Sequence, residues 1–264
     1  MTSHFYFPYA GNKNREMVEI YPKLNLDNVE IVVEPYAGTC AMSYHIWNKN
    51  KNAPIRYVLN DIDPFVYEIY QIAKDPARQE QIEKQFNEWI DAFNVFETME
   101  GRKLFYLSIK EKNTFESKLF ISKIYQMRAG LCPTIPNTKK AGYFYFKKAP
   151  VHEFFNTANI TFTNNCGLST YNEYRKEAKA LILLDPPYLL SEITYYQNSS
   201  GVKIYEYLGD NKMDDEPAKI YLIVENTWIM RLLFKNLMIH QYPKKYENKH
   251  TKTIHAIFSN IKLS

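Results

Sequence analysis

Asp185, Pro186, Pro187 and Tyr188 follow the apolar run Leu181-Ile182-Leu183-Leu184. Four consecutive apolar residues predict a buried strand of a parallel sheet. Pro186 keeps Asp185 out of the helical region, and neither proline can donate to a sheet ladder, so the strand must end here. Its carboxyl end then presents the Asp185 carboxylate, the Pro186 carbonyl and the Tyr188 ring. In open α/β sheets that edge is where ligands bind. Two rigid acceptors beside a stacking ring suit a planar base that carries an amine. The acceptors take the amine hydrogens while the ring packs on the base's face.

Two segments nearer the amino terminus complete a constellation. Glu30 to Ala41 reads as an apolar strand, an acid at its tip (Glu34), and a small-residue turn (Ala37, Gly38) leading into a helical pattern at Met42, Ile46 and Trp47. A strand and glycine turn of this kind place a nucleotide-like ligand at the switch point of a doubly wound sheet. A second strand, Tyr57-Val58-Leu59, ends in Asn60-Asp61-Ile62-Asp63. Asp61 lies 23 residues after Gly38, the distance at which an acid commonly accepts from ribose hydroxyls. Before both stands Phe7-Pro8-Tyr9-Ala10-Gly11-Asn12-Lys13, ahead of a helical stretch.

Together these three segments resemble the motifs of the D12 class of DNA adenine-N6 methyltransferases. Their order here is the aromatic-small-Gly-x-Lys segment, the cofactor turn, a long insert and then Asp-Pro-Pro-Tyr, which is the alpha-group order. Further echoes are Gly130-Leu131-Cys132, Thr194-Tyr195-Tyr196, Glu225-Asn226-Thr227 and Phe258-Ser259-Asn260, so the likeness spans nearly the whole chain. The resemblance implies S-adenosylmethionine as cofactor, double-stranded DNA as partner, and methylation of the adenine N6 amine after base flipping. By the same resemblance Asp185, Pro186 and Tyr188 are catalytic, and Tyr9, Lys13, Glu34, Ala37, Gly38, Asp61, Ile62 and Asp185 line the cofactor site. Glu34 would hold the methionine amino end or order its loop. No metal is implied. Three departures stand out: Cys40 replaces a small residue, His255 stands where an acid is more usual, and the helix expected between Tyr196 and Ile220 looks shortened. Two other readings keep the same fold. One is a DNA-binding relative without turnover; the other is a methyltransferase acting on RNA or a protein side-chain amide.

The interval between Glu34 and Asp185 is too long for the connections of one sheet, so it should hold a separate recognition region. Within it, Arg102 to Lys148 carries eleven Lys or Arg against only Glu111 and Glu116, a net of +9 in a chain whose total is +4. Aromatics are interleaved. A basic stripe of this composition is the footprint expected for a phosphate backbone. Arg128, Lys139 and Lys140 flank the breaker-rich stretch Gly130 to Thr138 and are the candidate DNA contacts, with Arg128 able to bind guanine bidentately. A second basic cluster, Lys244, Lys245, Lys249 and Lys252, reads as a loop. The acids of Tyr205 to Glu216 should stay off the DNA.

Composition fits a globular enzyme. The 264 residues can bury a sizeable core. No apolar run approaches a membrane span, and the first residues lack a signal-peptide pattern. Three cysteines, Cys40, Cys132 and Cys166, form no Cys-x-x-Cys pair, which suggests reduced thiols in an intracellular, cytoplasmic setting. Six histidines show no ligand spacing.

Periodicity predicts helices over 12–21, 41–47, 64–73, 77–93, 103–110, 115–127, 170–179 and 227–235. It predicts strands over 31–33, 57–59, 142–146, 160–163, 181–184, 220–224 and 253–258. The expected fold is α/β: a doubly wound mixed sheet of the S-adenosylmethionine-dependent methyltransferase type, with a mostly helical target-recognition insert. The expected domains are 1–75 with 150–264 for catalysis and 76–149 for the basic insert.

Overall fold

The structure, a computed structural model, describes residues 4–7, 9, 12–128, 141–188, 201–210, 213–245 and 252–264. The chain divides into two compact units. One comprises Met1–Gly11 with Glu68–Thr157, the other Asn12–Tyr67 with Ala158–Ser264.

The second unit is built on a seven-stranded sheet. Its strands are β1 (Ile31–Glu34), β2 (Arg56–Asn60), β3 (Asn159–Thr163), β4 (Ala180–Leu184), β5 (Lys219–Glu225), β6 (Met238–Lys245) and β7 (Lys252–Ser259). They lie in the order β3-β2-β1-β4-β5-β7-β6. The first five are parallel, and β7 runs antiparallel to both its neighbours. This is the doubly wound mixed sheet expected from the sequence. All five residues of β4 are buried, as an apolar strand in the middle of a parallel sheet must be. Its Ile182 and Leu184 share a core with Val33, Val58, Leu222, Val224 and Phe258.

Short helices flank the sheet: α1 (Met17–Ile20), α2 (Ala41–Lys49), α3 (Pro64–Ile72, crossing into the other unit), α8 (Gly167–Tyr174), α9 (Gly201–Asp210) and α10 (Trp228–Leu233). The single helix expected over 12–21 is instead a 3-10 turn at Lys13–Arg15, the one-turn α1, and a second 3-10 turn at Tyr21–Lys23. Pro22 cannot continue an i→i−4 ladder, and the Asn12 side chain accepts from Asn14 N to start the first turn tightly. The helix expected over 170–179 begins earlier, at Gly167, and ends at Tyr174. Lys244 and Lys245, expected in a loop, close β6, and Lys252 opens β7; the β6–β7 ladder pairs Lys245 with Lys252. Strand β6 was not expected, because its alternation is broken by Pro243 and its last residues are charged. As the edge strand it tolerates both.

The first unit is helical: α4 (Pro76–Val95), α5 (Met99–Glu111), α6 (Phe115–Arg128) and α7 (Val151–Thr157). Asp75 caps α4 by accepting from Ala77 and Arg78 N–H, and Thr98 caps α5 through Gly101 N–H. Phe86, Trp89, Phe93, Phe105 and Phe120 meet in mostly edge-on or tilted pairs inside it. The aromatic segment 142–146 is not a strand: 142–145 carries no regular structure and Phe146 opens a 3-10 turn, Phe146–Lys148. Its backbone is held by side chains of α4: Asn94 exchanges two hydrogen bonds with Ala141, Asn87 two with Phe144, and Glu83 accepts from Phe146 N. Side-chain amides thus take the place of a neighbouring strand. Among the described residues no helix is long and apolar enough to cross a membrane.

Candidate active site

The sheet order reverses at β1 and β4. From β1 the chain steps outward to β2 and β3, and from β4 to β5, then to the edge strand β6 and back to β7 between them. In-register pairing of Val33 with Ile182 brings the carboxyl end of β1, which carries Glu34, beside that of β4, which leads into Asp185. Ligands of doubly wound sheets bind in the crevice at such a point.

The turn after β1 is tightly specified. Gly38 has φ 51° and Cys40 φ 60°, both in the left-handed region that favours glycine. Cys40, which occupies the place of a small residue, is fully buried and is the N-cap residue of α2. Cys40 N donates to Ala37 O at 2.6 Å and Ala37 N to Asn60 O at 2.8 Å. Asp61 Oδ2 accepts from Gly38 N at 2.9 Å, while its Oδ1 accepts from Asp63 N at 2.9 Å. Burial pushes the Asp61 carboxyl up to about 6, opposed by these two N–H groups. Beside it Ile62 is 48% exposed. Glu34 accepts from Ser43 N at 2.6 Å, satisfying an open donor in the first turn of α2. Burial pushes its carboxyl up to about 7, with the Asp185 charge adding to the rise.

Asn60 knits this edge together. Its amide donates to Pro35 O at 2.9 Å and Asn165 O at 3.0 Å, and its oxygen accepts from Thr163 Oγ1 and Asn165 N, both at 2.8 Å. One fully buried side chain thereby ties the ends of β1, β2 and β3.

At the end of β4 the Lys13 ammonium lies 2.5 Å from Asp185 Oδ2 and donates to the Tyr188 hydroxyl at 2.9 Å. Lys13 is 3% exposed and the Asp185 side chain 17%. Burial raises the Asp185 carboxyl above its ordinary range, and Lys13 opposes that rise. Tyr188 meets His255 edge-on at 5.3 Å. Behind it, Glu16 gathers Lys13, Lys244, Tyr242 and His255.

The model of the family described as "D12 class N6 adenine-specific DNA methyltransferase" matches residues 9–248. The chain belongs to this family. A solved structure, "rRNA methyltransferase aviRa from Streptomyces viridochromogenes", aligns at 12% identity and TM-score 0.43, covering 98% of this chain and 91% of that one. A second structure of that rRNA methyltransferase aligns at 11% identity and TM-score 0.39, covering 96% and 86%. No curated protein matches.

Of the residues singled out in the sequence of this D12-class methyltransferase, Lys13, Glu34, Ala37, Gly38, Asp61, Ile62, Asp185, Pro186 and Tyr188 all lie in the sheet unit, at the carboxyl ends of β1, β2 and β4 or in the amino-terminal turn. Tyr9 falls in the helical unit, edge-on to Phe7 at 5.9 Å. Lys139, Lys140 and the Arg128 side chain lie outside the described residues, as do the Gly130-Leu131-Cys132 and Thr194-Tyr195-Tyr196 echoes. The later echoes have structural work: Thr227 caps α10 through Met230 N, and Asn260 bonds Ile220 N, Glu216 O and Ala218 O. Two cations of the basic stretch belong to the packing of the helical unit. Arg102 is buried and donates to Phe96 O at 2.7 Å, and burial lowers Lys123 to about 8 as it lies over the Phe144 ring. Sequence reasoning passed over Asn60, Glu16 and Tyr242. An amide or acid in a polar run carries no local sign that partners from distant segments will surround it.

Proposed function

We propose that the protein transfers a methyl group from S-adenosylmethionine to the N6 amine of adenine in double-stranded DNA, acting on a base turned out of the helix. The observation that carries this reading is the Lys13–Asp185 pair beside Tyr188 at the topological switch point. The family match supports the substrate class. The glycine turn, two carboxylates (Glu34 and Asp61) and the exposed apolar Ile62 suit a nucleoside with a charged tail: carboxylates for hydroxyls and an ammonium, and an apolar surface for a purine face. Tyr9, Ala37 and Gly38 join this set by the family's motif.

When bound, S-adenosylmethionine supplies an electrophilic methyl on a sulfonium. The chain's own residues prepare the amine. The adenine N6 lone pair is delocalised into the ring. Asp185 Oδ1 and the Pro186 carbonyl accept its two hydrogens and favour a more tetrahedral nitrogen, while Lys13 holds Oδ2 and fixes the carboxylate's orientation. Tyr188 stacks on the extruded base. Held at Glu34, Gly38 and Asp61, the cofactor would supply the methyl group that the freed lone pair takes up, and its sulfur would keep the electron pair of the broken carbon–sulfur bond. The amine proton passes to Asp185, whose raised proton affinity suits it to accept, and then to solvent. Cations of the insert, Arg128, Lys139 and Lys140 among them, neutralise DNA phosphates.

Methylation-sensitive sequencing of plasmid from cells expressing the protein tests this reading, alongside transfer of labelled methyl to DNA and RNA of equal sequence in vitro. N6-methyladenine at a defined DNA sequence is expected. Methylated RNA with unmodified DNA would overturn the substrate, and binding of DNA without transfer to either would overturn the activity.

A further inference from the structure

Glu16 plays no part in the chemistry just described, yet it is among the most heavily partnered groups in the sheet unit. Its side chain is 7% exposed. Oε1 lies 2.7 Å from the Lys244 ammonium and 3.9 Å from that of Lys13. Oε2 accepts from the Tyr242 hydroxyl at 2.8 Å and lies 3.1 Å from His255 Nδ1. A carboxylate withdrawn from water is costly unless it is paired and hydrogen-bonded. Here the partners come from three places in the chain: the turn ahead of α1, β6 and β7. Tyr242 and His255 are cross-strand neighbours, so one carboxylate grips both strands of the hairpin at the same level.

The same groups surround Tyr188. Lys13 and Lys244 lie 5.4 and 5.8 Å from the centroid of its ring, and the His255 ring meets it edge-on. Lys244 and His255 are anchored on Glu16, and Lys13, paired with Asp185, lies 3.9 Å from it. Without that anion two buried ammonium groups would share the Asp185 carboxylate, and the cation beside Tyr188 would have no fixed place.

We infer that Glu16 is a positioning residue for methyl transfer: its carboxylate ties Lys13, Tyr242, Lys244 and His255 into one buried set that fixes the Lys13 ammonium and the Tyr188 ring beside Asp185. This rests on the reading of Asp185 as the acceptor of the amine. The charges facing Asp185 are Lys13 and Glu16 from the amino-terminal segment, Glu34 from β1 and Lys244 from β6, with Tyr242 of β6 and His255 of β7 completing the set around Glu16. Glu16 itself is held well below the carboxylate range; burial alone would raise it, and Lys13, His255 and Lys244 together outweigh burial. It is therefore a permanent anion, and among the causes that raise Asp185 its charge follows burial.

The test is Glu16→Gln in the full chain, with thermal melting to show that it folds. It removes the charge and keeps the shape. The kcat for DNA methylation is expected to fall about 10- to 100-fold with KM for DNA little changed. The acid limb of kcat/KM should move to lower pH, because an anion that favoured the protonated Asp185 has gone. Glu16→Asp, which keeps the charge, should leave the limb in place. A purely structural role for Glu16 would lower the amount of folded enzyme without moving the limb. The midpoint of the Asp185 carboxyl carbon in a 13C NMR titration, read without substrate, should fall in Glu16→Gln. An unmoved carboxyl midpoint overturns the inference, as does an unchanged kcat. If Glu16→Gln does not fold, Tyr242→Phe takes its place; it deletes one hydrogen bond to Glu16, and a several-fold loss of kcat is expected, with normal kcat overturning the inference. If the wild type fails to methylate DNA, the functional reading falls while the carboxyl titration still decides the role of Glu16.

Discussion

Lys13 Nζ and Asp185 Oδ2 stand 2.5 Å apart, joining the amino-terminal turn to the end of β4 across most of the chain's length. A buried ammonium is paired with a largely buried carboxylate, and each makes the other's burial tolerable. Breaking such a pair by removing one partner is far more costly than the pair's net contribution. This makes it the first target for mutation.

Asp185→Ala is expected to lower methyl transfer about 100-fold or more in a protein that still melts cooperatively. Lys13→Met should also slow transfer at neutral pH, for a different reason. It removes the cation that opposes the rise of the Asp185 carboxyl, so the acid limb of the rate profile should move to higher pH. Steady-state rates across pH for both variants check this; a Lys13→Met limb that stays in place would show that the pair does not govern Asp185.

Asp61 secures Gly38 and Asp63 through their N–H groups. Asp61→Ala should therefore weaken S-adenosylhomocysteine binding by tenfold or more, on the order of 1.4 kcal/mol, and leave DNA affinity unaltered. Titration calorimetry with the nucleoside and filter binding with DNA separate the two. Equal affinity for S-adenosylhomocysteine in variant and wild type would remove Asp61 from the cofactor site.

Glu34 gives a stability prediction with a definite sign. Its carboxyl is raised from 4.5 to about 7 in the fold, so the folded state holds the proton more tightly than the unfolded one. The resulting stabilisation is fully present below about pH 4.5 and is lost as pH rises through about 7. Glu34→Gln lacks this loss. Relative to the wild type, the variant should gain roughly 3 kcal/mol between those limits. Urea unfolding of both proteins at several pH values reads the difference, and parallel curves would refute it.

Asn60→Ala should be among the more destabilising single changes in the sheet unit. It leaves the Pro35 and Asn165 carbonyls and the Asn165 N–H without their partner, a cost of about 3 kcal/mol. The urea midpoint should fall with the slope unchanged. A stability within 0.5 kcal/mol of wild type, roughly the range of an ordinary surface change, would show that water replaces the amide.

Lys139→Ala/Lys140→Ala tests the insert. If both lysines meet phosphates, binding should weaken alike on all sequences, and the slope of log affinity against log salt should fall by roughly 0.9 per lost contact. Cofactor affinity should hold. An unaltered slope would place this stretch off the DNA. Lys244 is not a simple alternative, since it is drawn to Glu16 inside the sheet unit.

The sequence by itself determined the five parallel strands, most of the helices between them and the residues that follow β1, β2 and β4, but neither β6 nor α7. These signals are local. The apolar run at β4 can only be a buried strand, and Pro186 and Pro187 must end it. Gly38 allows the left-handed turn that precedes α2, and Asp61 at the end of β2 accepts from its N–H. The Asp-Pro-Pro-Tyr edge was legible for the same reason: its chemistry is contiguous. Only the tertiary structure decided how that edge is held. Lys13, Glu16, Tyr242, Lys244 and His255 are scattered between the amino-terminal turn and the antiparallel strands β6 and β7, where a lysine or glutamate ordinarily reads as solvated. They become a single buried set because the sheet order returns β7 and β6 to the same edge as the amino-terminal turn, and a charge inside a fold must find its counter-charge wherever the chain supplies one. The segment 142–146 shows the reverse. Its residues promised a strand, but strand pairing depends on a neighbour, and α4 offered side-chain amides instead.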